Sequence, residues 1–159
     1  MTLASHVQNF LLDSRVNFEL VPHETADTMI QAARRANVPV DHVAKSVVIR
    51  HVDGYALAVV PCDRNLDLKA LQDHMHYRVG LASEDELSIL FDDCAHGAVP
   101  PVGLAYGLPT VVDRDLFAND WIWFEGGDHR TFVKTSGPEF RRLMEDAEFG
   151  TFSCGRHLH

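Results

Sequence analysis

The sequence predicts an α+β domain, mixed α/β in content, with one mixed, largely antiparallel sheet flanked by helices. Three observations predict it. Residues 46–61 carry a strong hairpin pattern, several helical stretches come with their own caps, and strands and helices do not alternate regularly. The chain has 159 residues, 46% hydrophobic and 23% charged, with a net charge of −9 from 14 Lys+Arg against 23 Asp+Glu. That composition excludes disordered, collagenous and disulfide-scaffold classes, and the length suits one domain over 1–159.

The elements follow in order. Val7, Phe10 and Leu11 recur at helical spacing and place an amphipathic helix over 3–14. VNFELV (16–21) alternates in part and reads as a short strand ended by Pro22. Asp27 is the expected cap of a helix to Ala36, with Met29, Ile30 and Ala33 inward and Asn37 as its stop. SVVIRHV (46–52) and YALAVVP (55–61) flank Asp53-Gly54, a dipeptide suited to a type I′ turn, and their β-branched residues suit mid-sheet strands. Leu66, Leu68 and Leu71 predict a helix from about Asp67, with a short strand at 77–79 after it. Ser83 and Glu86 form a capping box that opens a helix to about Phe91.

A long loop spans 92–107, and strands are expected at 109–113, 120–125 and 131–134. Ser136, Pro138 and Glu139 predict a second capping box, and Phe140, Leu143 and Met144 give the closing helix its apolar stripe. There is no repeat and no Pro/Gly/Ser linker. No window approaches the roughly 20 apolar residues of a membrane span. MTLASHVQNFLLDS lacks the basic region of a signal peptide, and three cysteines without a CxxC suit a reducing cytosol, so a cytoplasmic protein is expected.

The most informative segment is Gly97-Ala98-Val99-Pro100-Pro101-Val102-Gly103. The N–H groups of Gly97, Ala98 and Val99 stand on a backbone stiffened by two prolines, a nest suited to an anion or a developing oxyanion. The same residues also suit a plain connection between elements. Lys45, ahead of the first hairpin strand, is either a point charge for a phosphate or carbonyl oxygen or an ordinary solvated lysine. Asp128-His129, after Gly126-Gly127, either positions a water or ribose hydroxyl or serves the turn alone. Cys94 is a nucleophile or a buried thiol.

Ten histidines invite a metal, yet His74/His76 and His157/His159 have no ligand spacing and no HExxH occurs; no metal or cofactor is expected. Hydrolase elbows, P-loops and dinucleotide fingerprints are absent as well.

Together, His23-Glu-Thr, Val43-Ala-Lys45-Ser-Val-Val, Ala58-Val-Val-Pro61 and the 97–103 loop resemble YbaK-type proteins in order and spacing. These are free-standing relatives of the editing insertion domain of bacterial prolyl-tRNA synthetases. Leu108–Asp113 and Gly127–Val133 extend the likeness, which covers roughly residues 4–145. The resemblance implies a curved central sheet and hydrolysis of the ester in mischarged aminoacyl-tRNA, on tRNA-Pro or a similar small amino-acid ester, acting in trans on the 3′ acceptor end. It implies a required lysine at Lys45 and a GxxxP loop, here Gly97–Pro101, whose amides hold the aminoacyl end. His23, Pro101, Val102, Gly103, Asp128 and His129 stand at the matching substrate-side positions, with Val102 where many relatives carry a bulkier residue. An aminoacyl ester is already activated, so positioning and oxyanion stabilisation by Gly97, Ala98 and Val99, with water as nucleophile, suffice. The alternative is a noncatalytic module that binds tRNA ends or a synthetase.

A net charge of −9 argues against a broad grip on duplex RNA. Grasping only the terminal nucleotide needs few phosphate contacts, for which Lys45, Arg130 and Lys134 are the candidates. Weak tRNA affinity with a shallow salt dependence is expected.

Overall fold

The structure, a computed structural model, describes residues 3–156. Its elements run α1 (Ser5–Ser14), β1 (Glu19–Pro22), α2 (Met29–Arg35), β2 (Val43–His51), β3 (Gly54–Pro61), β4 (Arg64–Leu66), α3 (Leu68–Met75) and β5 (Gly80–Leu81). There follow α4 (Glu84–Leu90), β6 (Thr110–Asp113), β7 (Trp121–Glu125), β8 (Thr131–Ser136), α5 (Gly137–Leu143), β9 (Glu148–Gly150) and β10 (Ser153–Arg156). The main sheet has the order β1-β8-β7-β2-β3-β6-β9, with β5 added beside β2. It is mixed: β2–β7, β3–β6 and β6–β9 are parallel, whereas β1–β8, β7–β8, β2–β3 and β2–β5 are antiparallel. The expected mixed α/β class holds, and the β2–β3 hairpin sits in mid-sheet.

Alternation along the strands sends side chains to two faces. Ala44, Val48, Leu57, Val59, Ile122, Phe124 and Val133 meet α1 and α5 through Val7, Leu11, Phe140 and Leu143 on one face. On the other face, Val43, Cys62 and Phe132 meet α2 through Ala32 and Ala33. Farther along that face, Ile49, Ala58 and Val60 meet α3 through Leu71. Among the described residues, no helix is long and apolar enough to cross a membrane.

Several expectations shift. The first strand begins at Glu19 rather than Val16, because Val16 packs into the core without a partner strand. β1 ends at Pro22 as expected, with the proline itself as its last residue; β1 lies at the sheet edge, where a missing N–H is tolerated. Thr28, not Asp27, caps α2, its hydroxyl accepting from Gln31 N at 3.1 Å. Asn37 does stop the chain there, at φ +58°. The hairpin loop is Val52-Asp53, with His51 opposite Gly54, and the positive φ falls on Gly54 alone, so the turn is not type I′.

The strand expected at 77–79 lies instead at 80–81, since Val79 N donates to the Gln72 side chain. The Ser83 capping box forms in full. At α5 only half forms: Ser136 accepts from Glu139 N, while the Glu139 carboxylate accepts from Asn17 N at 3.2 Å. β4, β9 and β10 are additional to the expected strands. His157 and His159 lie outside the described residues.

Candidate functional site

The parallel pairing of β2 with β7 is short. Only Val43↔Trp123 and Ala44↔Phe124 are in register, and farther along the same side β2 pairs with β5 through Ile49 and Arg50. The two strands therefore part after Ala44 and Phe124, leaving a fork in the sheet. Lys45 and Glu125 are the next residues on its two arms, on the face that carries Val43 and Trp123. Lys45 thus lies within β2, not ahead of it as the sequence suggested.

The 95–99 segment bridges the fork. Ala95 N donates to Gly127 O at 2.7 Å, and Val99 O accepts from Ser46 Oγ at 3.2 Å. Gly97 adopts φ +79° at the exposed crest, a conformation glycine takes without strain. One expected donor is already committed, for Ala98 N donates to Ala95 O at 3.0 Å. Gly97 N and Val99 N have no partner among the described residues. The nest therefore has two donors rather than three.

Pro101, Val102 and Gly103 are buried, with Val102 in the core. A Cβ on Gly103 would fall 2.5 Å from Thr110 Oγ1, so glycine is needed there for close packing. These three residues anchor the loop from beneath.

Lys45 is half-buried. Burial lowers its ammonium below the ordinary lysine value, and the nearby Cys62 and Asp63 draw it part of the way back. The Cys62 thiol is pushed up to about 12, chiefly by burial, and Cys94 likewise, so neither is a thiolate nucleophile. Cys94 Sγ lies 3.2 Å from Tyr106 OH, which donates to Asp93 Oδ1 at 2.8 Å.

Across the fork lies a polar cluster. His23, just past β1, stacks on Phe132 and places Nε2 3.0 Å from Glu125 Oε2, with both side chains buried. His23 Nδ1 is 2.9 Å from Glu24 O and must donate to that carbonyl. Asp128 closes the β7–β8 turn, accepting from Arg130 N and Thr131 Oγ1 at 2.9 Å each. His129 sits at φ +62°, strained for a residue with a Cβ, and its Nε2 lies 3.2 Å from Ala26 O. Burial raises the Glu125 carboxyl above its ordinary value, against the pull of His23 and His129.

The sequence pointed to both histidines and missed Glu125. As the last residue of WIWFE, it reads as an ordinary strand end.

One cleft is lined by Pro22, His23, Glu24, Arg35 and Ala36. Another runs beside the loop crest, lined by Glu84, Ser88, Cys94, His96, Gly97 and Val99. Lys134, expected as a phosphate contact, is committed elsewhere: it lies over the Trp121 and Trp123 rings and 3.9 Å from Glu19. Among the described residues no group of three or more His, Cys, Asp or Glu could hold a metal ion.

The family model for an aminoacyl-tRNA editing domain matches residues 23–143. The chain is 30% identical over 128 residues to a multifunctional Ser/Thr-tRNA deacylase of Escherichia coli K12, covering 76% of each protein. It is 25% identical over 147 residues to the prolyl-tRNA editing protein ProX of Acetoanaerobium sticklandii, covering 88% of each. A crystal structure described as a candidate trans-editing enzyme for prolyl-tRNA synthetase superposes with a TM-score of 0.81 at 27% identity, covering 96% of this chain and 97% of that one.

Proposed function

Because the chain belongs to the aminoacyl-tRNA editing family, we propose that it hydrolyses the ester joining a wrongly attached amino acid to the terminal ribose of tRNA. It acts in trans, with residues 1–159 as one editing domain.

The observation that carries this reading is the bridged fork. A loop fixed at Gly127 and at Ser46 presents two unclaimed N–H groups, Gly97 and Val99, and the half-buried Lys45 precedes Ser46 on the same strand. Such donors stabilise the oxyanion of the tetrahedral intermediate without reorganising, where loss of one donor costs about 10²–10³ in rate. Lys45, with its hydration reduced by burial, holds negative charge on the substrate. The leaving group is a ribose oxygen and the nucleophile is water, so no thiol or hydroxyl of the protein takes part.

The relatives are named for prolyl-tRNA editing and for Ser/Thr-tRNA deacylation, which favours tRNA charged with small amino acids as substrate. The partner is the charged 3′ end. A prolyl-tRNA synthetase would be the source of the mischarged product, and co-purification with it tests that association. Three free cysteines, one of them exposed, suit a reducing cytosol.

The test is a deacylation panel of tRNA-Pro and other tRNAs charged with Ala, Cys, Ser or Thr. Turnover is expected on at least one, with Lys45→Ala reduced about 100-fold. Equal rates in both proteins would remove Lys45 from the mechanism. Tight binding without turnover on any charged tRNA would instead identify a binding module.

A further inference from the structure

The turn that bears His129 and the strand end that bears Glu125 leave two buried polar atoms without a protein partner: Glu125 Oε1 and His129 Nδ1. Their chemistry follows from the bonds around them. His23 donates its Nδ1 proton to Glu24 O, so one proton lies on the bond between His23 Nε2 and Glu125 Oε2, whichever atom carries it. Glu125 Oε1 is left as an acceptor. His129 Nε2 faces the carbonyl of Ala26 and must carry the hydrogen, so the neutral imidazole keeps its lone pair on Nδ1.

Both acceptors belong to neighbours of His23: Glu125 is bonded to its Nε2, and the His129 ring lies 6.3 Å from its own. Buried polar atoms of this kind are normally satisfied, and a group offering two hydrogens matches them.

We propose that Glu125 Oε1 and His129 Nδ1 together seat the water consumed in the deacylation, with His129 as its proton acceptor. This rests on the hydrolase reading above. In the step, the water oxygen bonds to the ester carbonyl carbon while its proton passes to His129 Nδ1. The resulting imidazolium is held by the Glu125 carboxyl group beside it. As the intermediate collapses, the carbon–oxygen bond to ribose breaks, and the proton passes from Nδ1 to the departing ribose oxygen. The products are free amino acid and tRNA with its hydroxyl restored.

The placement supports this sequence. Asp128 locks the turn by two hydrogen bonds and holds His129 at its strained φ, and Gly127, two residues before it, ties down the donor loop through Ala95. The loop that bears the oxyanion donors is therefore tied to the turn that bears the proton acceptor.

The titratable groups around Glu125 are His23 beyond β1, and Asp128 and His129 in the β7–β8 turn. Deacylation by the wild type is expected to show an acid limb. Glu125→Gln, which keeps the shape, is expected to lower kcat about 100-fold with KM little changed and to move the acid limb. Glu125→Asp should restore part of the rate, and His129→Gln should match Glu125→Gln. Variants that stay folded, by near-ultraviolet circular dichroism, and keep wild-type rate and pH profile overturn the proposal.

A second measurement does not depend on turnover. Imidazole ¹⁵N shifts should report His23 protonated at Nδ1 and His129 at Nε2, with a water cross-peak to the His129 ring. The opposite tautomer at His129, or no bound water, overturns the seat. A wild type inactive on every charged tRNA, with the tautomers and water as stated, overturns the hydrolase reading and the water's chemical role and leaves the seat standing.

Discussion

At the scale of single residues, the site depends on two small side chains that hold a backbone in place. Gly127 has φ +111°, and a Cβ there would fall 2.6 Å from that of Ala4. Gly127→Ala is expected to cost at least about 1 kcal/mol from the backbone conformation alone, with the clash in addition, read by urea unfolding. Ser46→Ala should behave differently. It removes one hydrogen bond, to Val99 O, a loss of about 0.5–1.5 kcal/mol. Its larger effect should be on deacylation rate, because the Val99 amide is then no longer held in place. Equal, small effects on both readouts would count against the loop's role. Lys45, Gly97 and His129 were singled out in the sequence by residue type and position, and His23 by the family resemblance. Glu125 was not, because its burial comes from His23 and Phe132, 102 residues before it and seven after. The commitment of the Ala98 N–H was equally hidden, since it depends on how the loop folds back on Ala95.

At the scale of elements, local chemistry was the reliable guide and pairing was not. The Ser83 box forms as read and the helix expected from about Asp67 starts there, capped by that residue, because a cap needs only the three or four residues that follow it. The α2 cap is displaced by one residue, to Thr28, and this is testable. Thr28→Ala should destabilise by about 1 kcal/mol in thermal or urea unfolding, whereas Asp27→Ala should cost much less. Strand ends were misplaced by one to three residues wherever a partner strand or a side chain from elsewhere sets them. Examples are β1 against β8 and the Gln72 carboxamide at Val79. β9 and β10 are short strands that pair with β6 and β4, and no local pattern announces them.

At the scale of the whole molecule, charge and pH give two further expectations. With a net charge of −9 and Lys134 committed to Glu19 and two indoles, few cations remain for phosphate. Binding of a charged tRNA should show a log–log salt slope of magnitude about 2 or less, at about 0.7 for each phosphate of a single strand. Filter binding between 50 and 200 mM salt, a range of about fourfold, reads it.

Asp93 ties α1 to the segment after α4. Burial alone would raise its pKa, but hydrogen bonds from His6 N and its ring, from Tyr106 and from Cys94 bring the carboxyl down to about 2. A depressed acid contributes stability above its unfolded value and loses it as pH falls through the folded one. Asp93→Asn should therefore be less stable than wild type at pH 6, with the difference shrinking below about pH 4 and lost only below about pH 2.

The strand order β1-β8-β7-β2-β3-β6-β9 also governs how the chain can fold as it is made. The β2–β3 hairpin closes across a two-residue loop and can pair as soon as it forms. Its neighbour on one side, β7, lies some 70 residues downstream, and β1 waits for β8, with Glu19 opposite Lys134. A nascent chain will thus carry a bare central hairpin, apolar on both faces, until most of its length has emerged. Non-local pairing of this kind slows closure toward the millisecond-to-second range. Chains cut after Glu125 should remain uncooperative and chaperone-bound on the ribosome, and the sheet should become protease-resistant only once α5 has been made.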